Sequence, residues 1–292
     1  MLPAGLVLLD KPEGWTSHDV VARLRRVANT KRVGHAGTLD PMATGLLVLG
    51  VESATKLLTF IVGDDKTYEA TIRLGASTIT DDRESEFLSQ ASAAEISAVT
   101  DSAILLEIKN LTGAIEQVPS SVSAIKVDGV RAYAKVRGGD EVKLKARPVT
   151  VSRFEVLGEP RRVDGFIDVE VIIDCSSGTY IRALARDLGA ALGIGGHLTK
   201  LRRTRVGGFT IDQSSALPEP GDELKLISSF EASKAFPTLE LTDQEVVDLR
   251  HGKRIANRLD FSGDIAAVHG EQLIAMLVPV GKQLKSSVVF ND

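Results

Sequence analysis

The chain contains 292 residues, and this length allows one large domain and one small domain, because a single hydrophobic core stops growing near about 250 to 300 residues. Hydrophobic residues make up 43% and charged residues 25% of the chain, a balance that excludes a disordered or fibrous protein. The single cysteine, Cys175, excludes an intrachain disulfide, a cysteine-rich zinc site and a paired-thiol redox centre.

The formal net charge of −4 by itself argues against a nucleic-acid partner, because phosphate binding depends on Lys and Arg. The basic residues are nevertheless concentrated in three stretches. Each stretch alone is typical of a solvated surface, but their position beside the motifs described below favours contacts with phosphates. The three basic clusters are Arg23, Arg25, Arg26, Lys31 and Arg32; Lys143, Lys145 and Arg147; and Lys200, Arg202, Arg203 and Arg205.

The first predicted element is a buried strand at Gly5 to Leu9, which is too short for the core of a signal peptide. A turn at Lys11 to Gly14 follows, and then a helix from about His18 to Ala28 with Ser17 as its N-cap. No apolar run approaches the roughly 20 residues of a membrane span. We therefore expect a protein of the reducing cytoplasm that is not associated with a membrane.

A glycine-punctuated loop from Gly34 to Gly45 leads into the apolar run Leu46 to Leu49, which predicts a strand. The polar segment Asp81 to Gln90 is predicted to be mobile, and helical spacing predicts a helix from Thr179 to Leu192. Alternating residues predict further strands at Thr67 to Leu74, Val149 to Leu157 and Phe166 to Asp174. This pattern indicates an α+β fold with a mostly antiparallel mixed sheet flanked by helices.

The pattern changes at Pro237, and we divide the chain into a domain of residues 1–236 and a small domain of residues 237–292, either all-β or α+β. The predicted elements of the second domain are a helix at Thr242 to Leu249 and strands near Ile265 to Val268, Leu273 to Val280 and Ser287 to Phe290.

The loop from Gly34 to Gly45 contains the residues best suited to chemistry. It places a histidine, a threonine and an aspartate within six residues, and its glycines permit positive φ or a close approach to a ligand. A carboxylate in such a loop is held rigidly beside a bound substrate. The alternative for Asp40 is a turn residue, because Asp-Pro commonly initiates turns, and the alternative for His35 is a hydrogen-bonded structural residue.

The loop sequence GHAGTLDPMATG resembles the catalytic-loop signature of the TruB family of tRNA pseudouridine synthases. Other motifs agree in order, and the resemblance spans about the first four fifths of the chain. These motifs are Asp10 to Gly14 with Thr16 and Ser17, Lys66 to Ala70, Pro119-Ser120 with Ser123 to Lys126, Ala146 to Val149, Gly178 to Arg182 and Leu201 to Arg203.

The resemblance implies three catalytic residues. Asp40 is the carboxylate that attacks or stabilises the ribose-base centre when the glycosidic bond breaks. Tyr68 stacks on the target uracil, and Arg182 pairs with Asp40 and keeps it ionised, because an adjacent guanidinium depresses the pKa of a carboxyl group. The alternative for Tyr68 is an aromatic residue of a strand in the core, and the alternative for Arg182 is an ordinary salt bridge at the end of a helix.

The resemblance also implies the residues that bind the substrate. His35 enters the RNA fold where the target base leaves it, and Lys11 supports the loop. Tyr180 and the backbone near Leu201 frame the uracil. Arg202, which follows Leu201 in the motif Leu201 to Arg203, also binds the substrate.

The implied reaction converts a uridine to pseudouridine, with the uridine at position 55 in the T arm of tRNA as the target. The base must be flipped out of the RNA, which costs a few kcal/mol. The reaction needs no redox change or phosphoryl transfer, so we expect no cofactor and no metal. We expect tRNA as the partner, a monomer without an obligate protein partner, a closing segment at Gln117 to Gly139, and a PUA-like RNA-binding module at the C-terminal end.

Two other classes of protein remain open. One is a non-catalytic RNA-binding protein on the same scaffold, against which the presence of Asp40, Tyr68 and Arg182 argues. The other is a nucleoside glycosidase, which needs a second acid about 5 to 9 Å from Asp40 and an opening for water.

Overall fold

The computed structural model describes residues 3–120 and 144–290, together with the backbone of residues 126–127 and 130–131. Most of the expected closing segment, Gln117 to Gly139, lies outside these residues, as does Lys143 of the second basic cluster.

The described part of the chain alternates short helices with strands. The helices are α1 Ser17–Val27, α2 Leu58–Ile61, α3 Ala93–Ala98, α4 Asp101–Asn110, α5 Ile181–Ala191, α6 Ser229–Ser233 and α7 Asp243–Arg250, with 3-10 helices at Glu52–Leu57 and Ile211–Gln213. The strands are β1 Gly5–Lys11, β2 Val33–His35, β3 Thr44–Val51, β4 Lys66–Leu74, β5 Ala76–Thr78, β6 Phe87–Gln90, β7 Gly113–Gln117, β8 Lys126–Val127, β9 Val130–Arg131, β10 Arg147–Val156, β11 Arg161–Val163, β12 Phe166–Cys175, β13 Gly196–Val206, β14 Phe209–Thr210, β15 Thr238–Glu240, β16 Ile255–Ala256, β17 Ile265–His269, β18 Gln272–Val280 and β19 Gln283–Val289.

The chain forms two compact units. Unit 1 comprises Met1–Pro41, Gly45–Gly63 and Val206–Asp292, and unit 2 comprises Met42–Thr44 and Asp64–Arg205. The division at residue 237 stays a prediction.

In unit 1, β1 pairs antiparallel with β3 from Gly5 opposite Val51 to Lys11 opposite Gly45. Both faces of this pair are buried, which is why its sequence is a continuous apolar run rather than an alternating one. One face packs on α1, and the other packs on β17 and β18. The hydrophobic cluster on the α1 side contains Val7, Leu9, Leu47, Leu49, Val20 and Leu24, and the cluster on the opposite side contains Leu6, Leu8, Leu46, Val48, Ala266 and Met276.

The C-terminal sheet of unit 1 has the strand order β15-β17-β18-β19-β16. Strand β15 is parallel to β17, and the other pairs are antiparallel. The sheet and α7 enclose a separate hydrophobic cluster that includes Leu249, Ile274 and Leu284. The helix and three strands predicted here are confirmed, whereas β15 and β16 were missed because strands of two or three residues show no alternation.

In unit 2, five strands follow one another in the order β13-β4-β12-β10-β7. Strand β12 pairs antiparallel with both β4 and β10, and β10 pairs antiparallel with β7. Helix α5 contacts β4 and buries Leu184 and Leu188. The predicted α+β class and its mostly antiparallel sheet are confirmed.

Within the described ranges, no helix is long and apolar enough to cross a membrane.

Candidate functional site

The candidate catalytic loop connects β2 to β3 in a conformation that depends on its glycines. Gly37 has φ +93° and Gly45 has φ +102°, which side-chain-bearing residues rarely adopt. A Cβ on Gly34 would lie 3.1 Å from Cδ1 of Leu58, so this glycine permits a close approach. The predicted positive φ is therefore confirmed at Gly37 and Gly45, whereas the close approach at Gly34 is to a protein side chain. Asp40 lies in this loop and is half-buried.

The residues on both sides of Asp40 are held by buried polar side chains. The Ser17 hydroxyl accepts a hydrogen bond from the Leu39 N–H at 2.9 Å and lies 3.2 Å from the Leu39 carbonyl. The Lys11 ammonium donates to the Pro41 carbonyl at 3.3 Å and to the Trp15 carbonyl at 2.6 Å. The backbone that carries Asp40 is thus fixed immediately before and after it.

The predicted N-cap of α1 was wrong. The cap is Thr16, which forms a capping box with Asp19: the Thr16 hydroxyl accepts from the Asp19 N–H at 3.1 Å, and the Asp19 carboxylate accepts from the Thr16 N–H at 2.9 Å. An acid three residues after Thr16 is the sequence signal that favoured Thr16 over Ser17. The Ser17 hydroxyl therefore does not cap the helix and can bind Leu39 in the loop.

His35 ends β2 at the start of the same loop, and its ring contacts that of His18 edge to face, with 5.7 Å between the centroids. In unit 1, His35 and Asp40 thus lie in the same loop, and Lys11 binds the backbone of that loop. The proposed entry of His35 into RNA stays a prediction.

The other predicted catalytic residues belong to unit 2. Tyr68 is a buried residue of β4 opposite Ile173 of β12. Arg182 lies in the first turn of α5, is 5% exposed, and donates from Nη1 to the Thr80 carbonyl at 2.8 Å. The same nitrogen lies 3.4 Å from Oδ2 of Asp82. The predicted pairing of Arg182 with Asp40 stays a prediction.

Asp82 is a functional candidate that sequence reasoning missed. The segment from Asp81 was expected to be polar and mobile, but Asp82 is only 2% exposed, and its Oδ1 accepts from the Thr80 hydroxyl at 2.5 Å and the Glu84 N–H at 3.0 Å. Burial raises the pKa of the neighbouring Asp81, although Arg186 opposes this effect from 3.4 Å. A run of acids gives no sequence signal for burial, because the partner Arg182 lies 100 residues away in the chain.

Strand β13 carries Leu201, which is buried, and Arg202, whose Nη1 donates to the Thr44 hydroxyl at 3.3 Å. The third basic cluster is therefore only partly a solvated surface. Arg203 is almost fully buried, and Arg205 donates from Nε to the Thr67 hydroxyl at 2.8 Å. In this cluster Lys200 is the exposed member.

Cys175 provides a chemical test of the packing in unit 2. Burial raises the pKa of its thiol to about 11. Because the thiolate is the reactive form, we expect native protein to react with a thiol reagent such as DTNB at pH 8 at least about 100-fold more slowly than protein unfolded in guanidinium chloride. The unfolded chain is expected to release one equivalent, since it has one cysteine. Equal rates in the two states would contradict this assignment.

Within residues 3–120 and 144–290, no cluster of three or more His, Cys, Asp or Glu residues could hold a metal ion.

The fold is similar to those of solved structures. A chain of "Crystal Structure of a Cbf5-Nop10-Gar1 Complex" superposes with a TM-score of 0.73 at 25% identity, covering 98% of this chain and 84% of that chain. A chain of "Structure of H/ACA RNP bound to a substrate RNA containing 2'-deoxyuridine" gives a TM-score of 0.71 at 24% identity, covering 99% and 85%, and supports the fold alone.

Family models match three consecutive segments. Residues 25–181 match the TruB family pseudouridylate synthase N-terminal domain, residues 182–222 the tRNA pseudouridylate synthase B C-terminal domain, and residues 236–291 the tRNA pseudouridine synthase II C-terminal domain. The fold is therefore that of a pseudouridine synthase, and the expected fold is confirmed.

The chain is 54% identical to "tRNA pseudouridine synthase B" of Arthrobacter sp. (strain FB24), over 98% of this chain and 96% of that protein. It is 61% identical to the protein of the same name from Leifsonia xyli subsp. xyli (strain CTCB07), over 87% and 84%. The chain belongs to the TruB family.

Proposed function

We propose that this protein isomerises a uridine to pseudouridine in the T arm of tRNA, at position 55. Support comes from its membership of the TruB family and from the names of its relatives. The observation that carries the proposal is Asp40 itself, a half-buried carboxylate whose two neighbouring residues are held by Ser17 and Lys11.

In the proposed reaction the target base leaves the RNA stack, and His35 occupies the space that it vacates. Asp40 attacks or stabilises the ribose-base centre while the bond from C1' to N1 breaks. The uracil turns and rejoins C1' through C5, so the proton at C5 must leave and N1 must gain one. Nothing is added to or removed from the nucleotide, so the overall change is an isomerisation.

Residues of unit 2 have complementary tasks in this proposal. Tyr68 stacks on the uracil and accepts the C5 proton, and Tyr180 and the backbone near Leu201 frame the base. Arg182 pairs with Asp40 and keeps it ionised. Arg202 contributes to binding of the substrate; it is supported by its hydrogen bond to Thr44, at the end of the catalytic loop.

We further propose that residues 237–292 form a small PUA-like RNA-binding domain, and that the protein acts as a cytoplasmic monomer without an obligate protein partner. The C-terminal five-stranded sheet and the family match at residues 236–291 support the domain. A sedimentation measurement of the free protein tests the monomer.

The test of the function is incubation of the protein with an unmodified tRNA transcript, followed by analysis of both the RNA and the free bases. We expect pseudouridine without released uracil, and none when the uridine at position 55 is replaced by cytidine. Binding of the transcript without product would indicate a non-catalytic RNA-binding protein, and released uracil would indicate a glycosidase.

A further inference from the structure

Gln117 forms a two-point contact with the backbone of Tyr180. Its side-chain Oε1 accepts a hydrogen bond from the Tyr180 N–H at 2.8 Å, and its Nε2 donates to the Tyr180 carbonyl at 3.1 Å. Gln117 is 2% exposed, so both bonds are shielded from water. The planar side-chain amide of Gln donates and accepts at once, and it carries no charge at any ordinary pH.

The contact is made at the residue where α5 begins. Tyr180 is the N-cap of α5, but no side-chain hydrogen bond caps the helix there. The preceding turn contains Gly178 with φ +86°, and the Tyr180 carbonyl also accepts from the Leu184 N–H at 3.2 Å. The amide of Gln117 therefore fixes the peptide groups at the point where the chain changes from turn to helix.

Gln117 is itself rigidly placed. It ends β7, where it lies opposite Arg147 of β10 in the antiparallel register. The next residue is attached to the same helix, because Nη2 of Arg186 donates to the Val118 carbonyl at 2.7 Å. The amide thus links the edge of a sheet to the first turn of α5, two residues before Arg182.

From this geometry we infer that Gln117 is a positioning residue that acts through Tyr180, fixing the side chain that frames the target uracil. The inference rests on the proposed function of Tyr180. Gln117 acts on the orientation of the flipped base and hence on the chemical step. The affinity for tRNA is set by other contacts.

The first test replaces Gln117 by leucine, which removes both bonds but keeps a side chain of similar size. We expect the single-turnover rate at saturating enzyme to fall at least about tenfold, with the Kd for a tRNA transcript changed less than about twofold. Hydrogen exchange at the Tyr180 amide should accelerate at least about tenfold. The matched control is Gln213→Leu, which removes a similar amide bond to the Thr210 N–H at 2.9 Å and should leave the rate unchanged.

A double variant separates positioning from general loss of structure. If Gln117 acts through Tyr180, then Gln117→Leu combined with Tyr180→Ala is no slower than Tyr180→Ala alone, because the side chain to be positioned is already gone. A rate loss that adds in the double variant overturns the inference.

Gln117→Glu provides a test that does not require the leucine variant to fold. An ionised carboxylate accepts from the Tyr180 N–H but cannot donate to its carbonyl, whereas a protonated one does both. We expect the rate relative to wild type to be low at pH 8 and to rise as the pH falls, since burial favours the protonated form. A ratio that does not change with pH contradicts the inference.

Failure of this inference is distinguishable from failure of the proposed function. Unchanged exchange at the Tyr180 amide in Gln117→Leu, or a wild-type rate in that variant, overturns the inference alone. Absence of pseudouridine in the wild-type reaction overturns the proposed function.

Discussion

Replacing Asp40 by asparagine is expected to lower the rate of pseudouridine formation on the order of 10⁴-fold or more, while tRNA binding survives. Asparagine has nearly the same shape but carries no negative charge, so it cannot act as the nucleophile or stabilise the ribose-base centre. The backbone is expected to keep its position, because Ser17 and Lys11 bind the main chain of Leu39 and Pro41 and do not depend on the Asp40 side chain for those bonds.

The measurement is single-turnover formation of pseudouridine in a tRNA transcript, with filter binding for affinity. Asp243→Asn is a matched control, since it makes the same change in charge at a side chain that is 96% exposed, and it should turn over at the wild-type rate. A wild-type rate for Asp40→Asn would refute the proposed mechanism.

Replacing Asp82 by alanine is expected to destabilise the protein by about 3 kcal/mol, because it removes a carboxylate from a buried ion pair and leaves Arg182 with less compensation for its burial. The two side chains are 2% and 6% exposed, so water cannot readily replace the lost partner. The Thr80 hydroxyl and the Glu84 N–H lose their acceptor as well. Turnover is also expected to fall at least about tenfold, since the Arg182 guanidinium is less firmly held.

Urea unfolding measures the loss of stability, with Asp82→Asn as the variant that keeps the size of the side chain. Glu170→Ala is the control within unit 2, because it breaks the ion pair between Arg161 and Glu170, whose side chains are 58% and 46% exposed. This variant should lower the free energy of unfolding by less than about 1 kcal/mol. Equal destabilisation by Asp82→Ala and Glu170→Ala would show that burial of the Arg182 pair has no energetic consequence.

Several parts of the fold could be predicted because they depend on local patterns. The strands at β1, β4, β12 and β18 follow from apolar runs or alternation, and α5 follows from apolar residues at helical spacing. The loop around Asp40 could be located because glycines punctuate it, and Gly37 and Gly45 do adopt the positive φ that glycine permits.

The partners of polar side chains could not be predicted in the same way. The sequence predicts that Ser17 caps a helix, but its hydroxyl binds Leu39; it predicts a mobile segment at Asp82, but that residue is buried beside Arg182. The sequence predicts Gln117 only as the start of a closing segment, although its amide binds Tyr180. Each of these contacts joins residues between 22 and 100 positions apart, and a hydrogen bond at such a separation leaves no periodic signal in the chain.

The sequence by itself determined the α+β class, the order of the main strands and helices, the glycine-bent loop around Asp40, and the resemblance that led to the TruB family. These are properties of residue type and short-range order, since side-chain volume, backbone freedom and apolar spacing act within a few residues. Only the tertiary structure decided which buried polar groups hold Asp40, Arg182 and Tyr180 in place. The reason is that a buried polar group must find a partner wherever the packed chain offers one, and packing rather than spacing selects that partner.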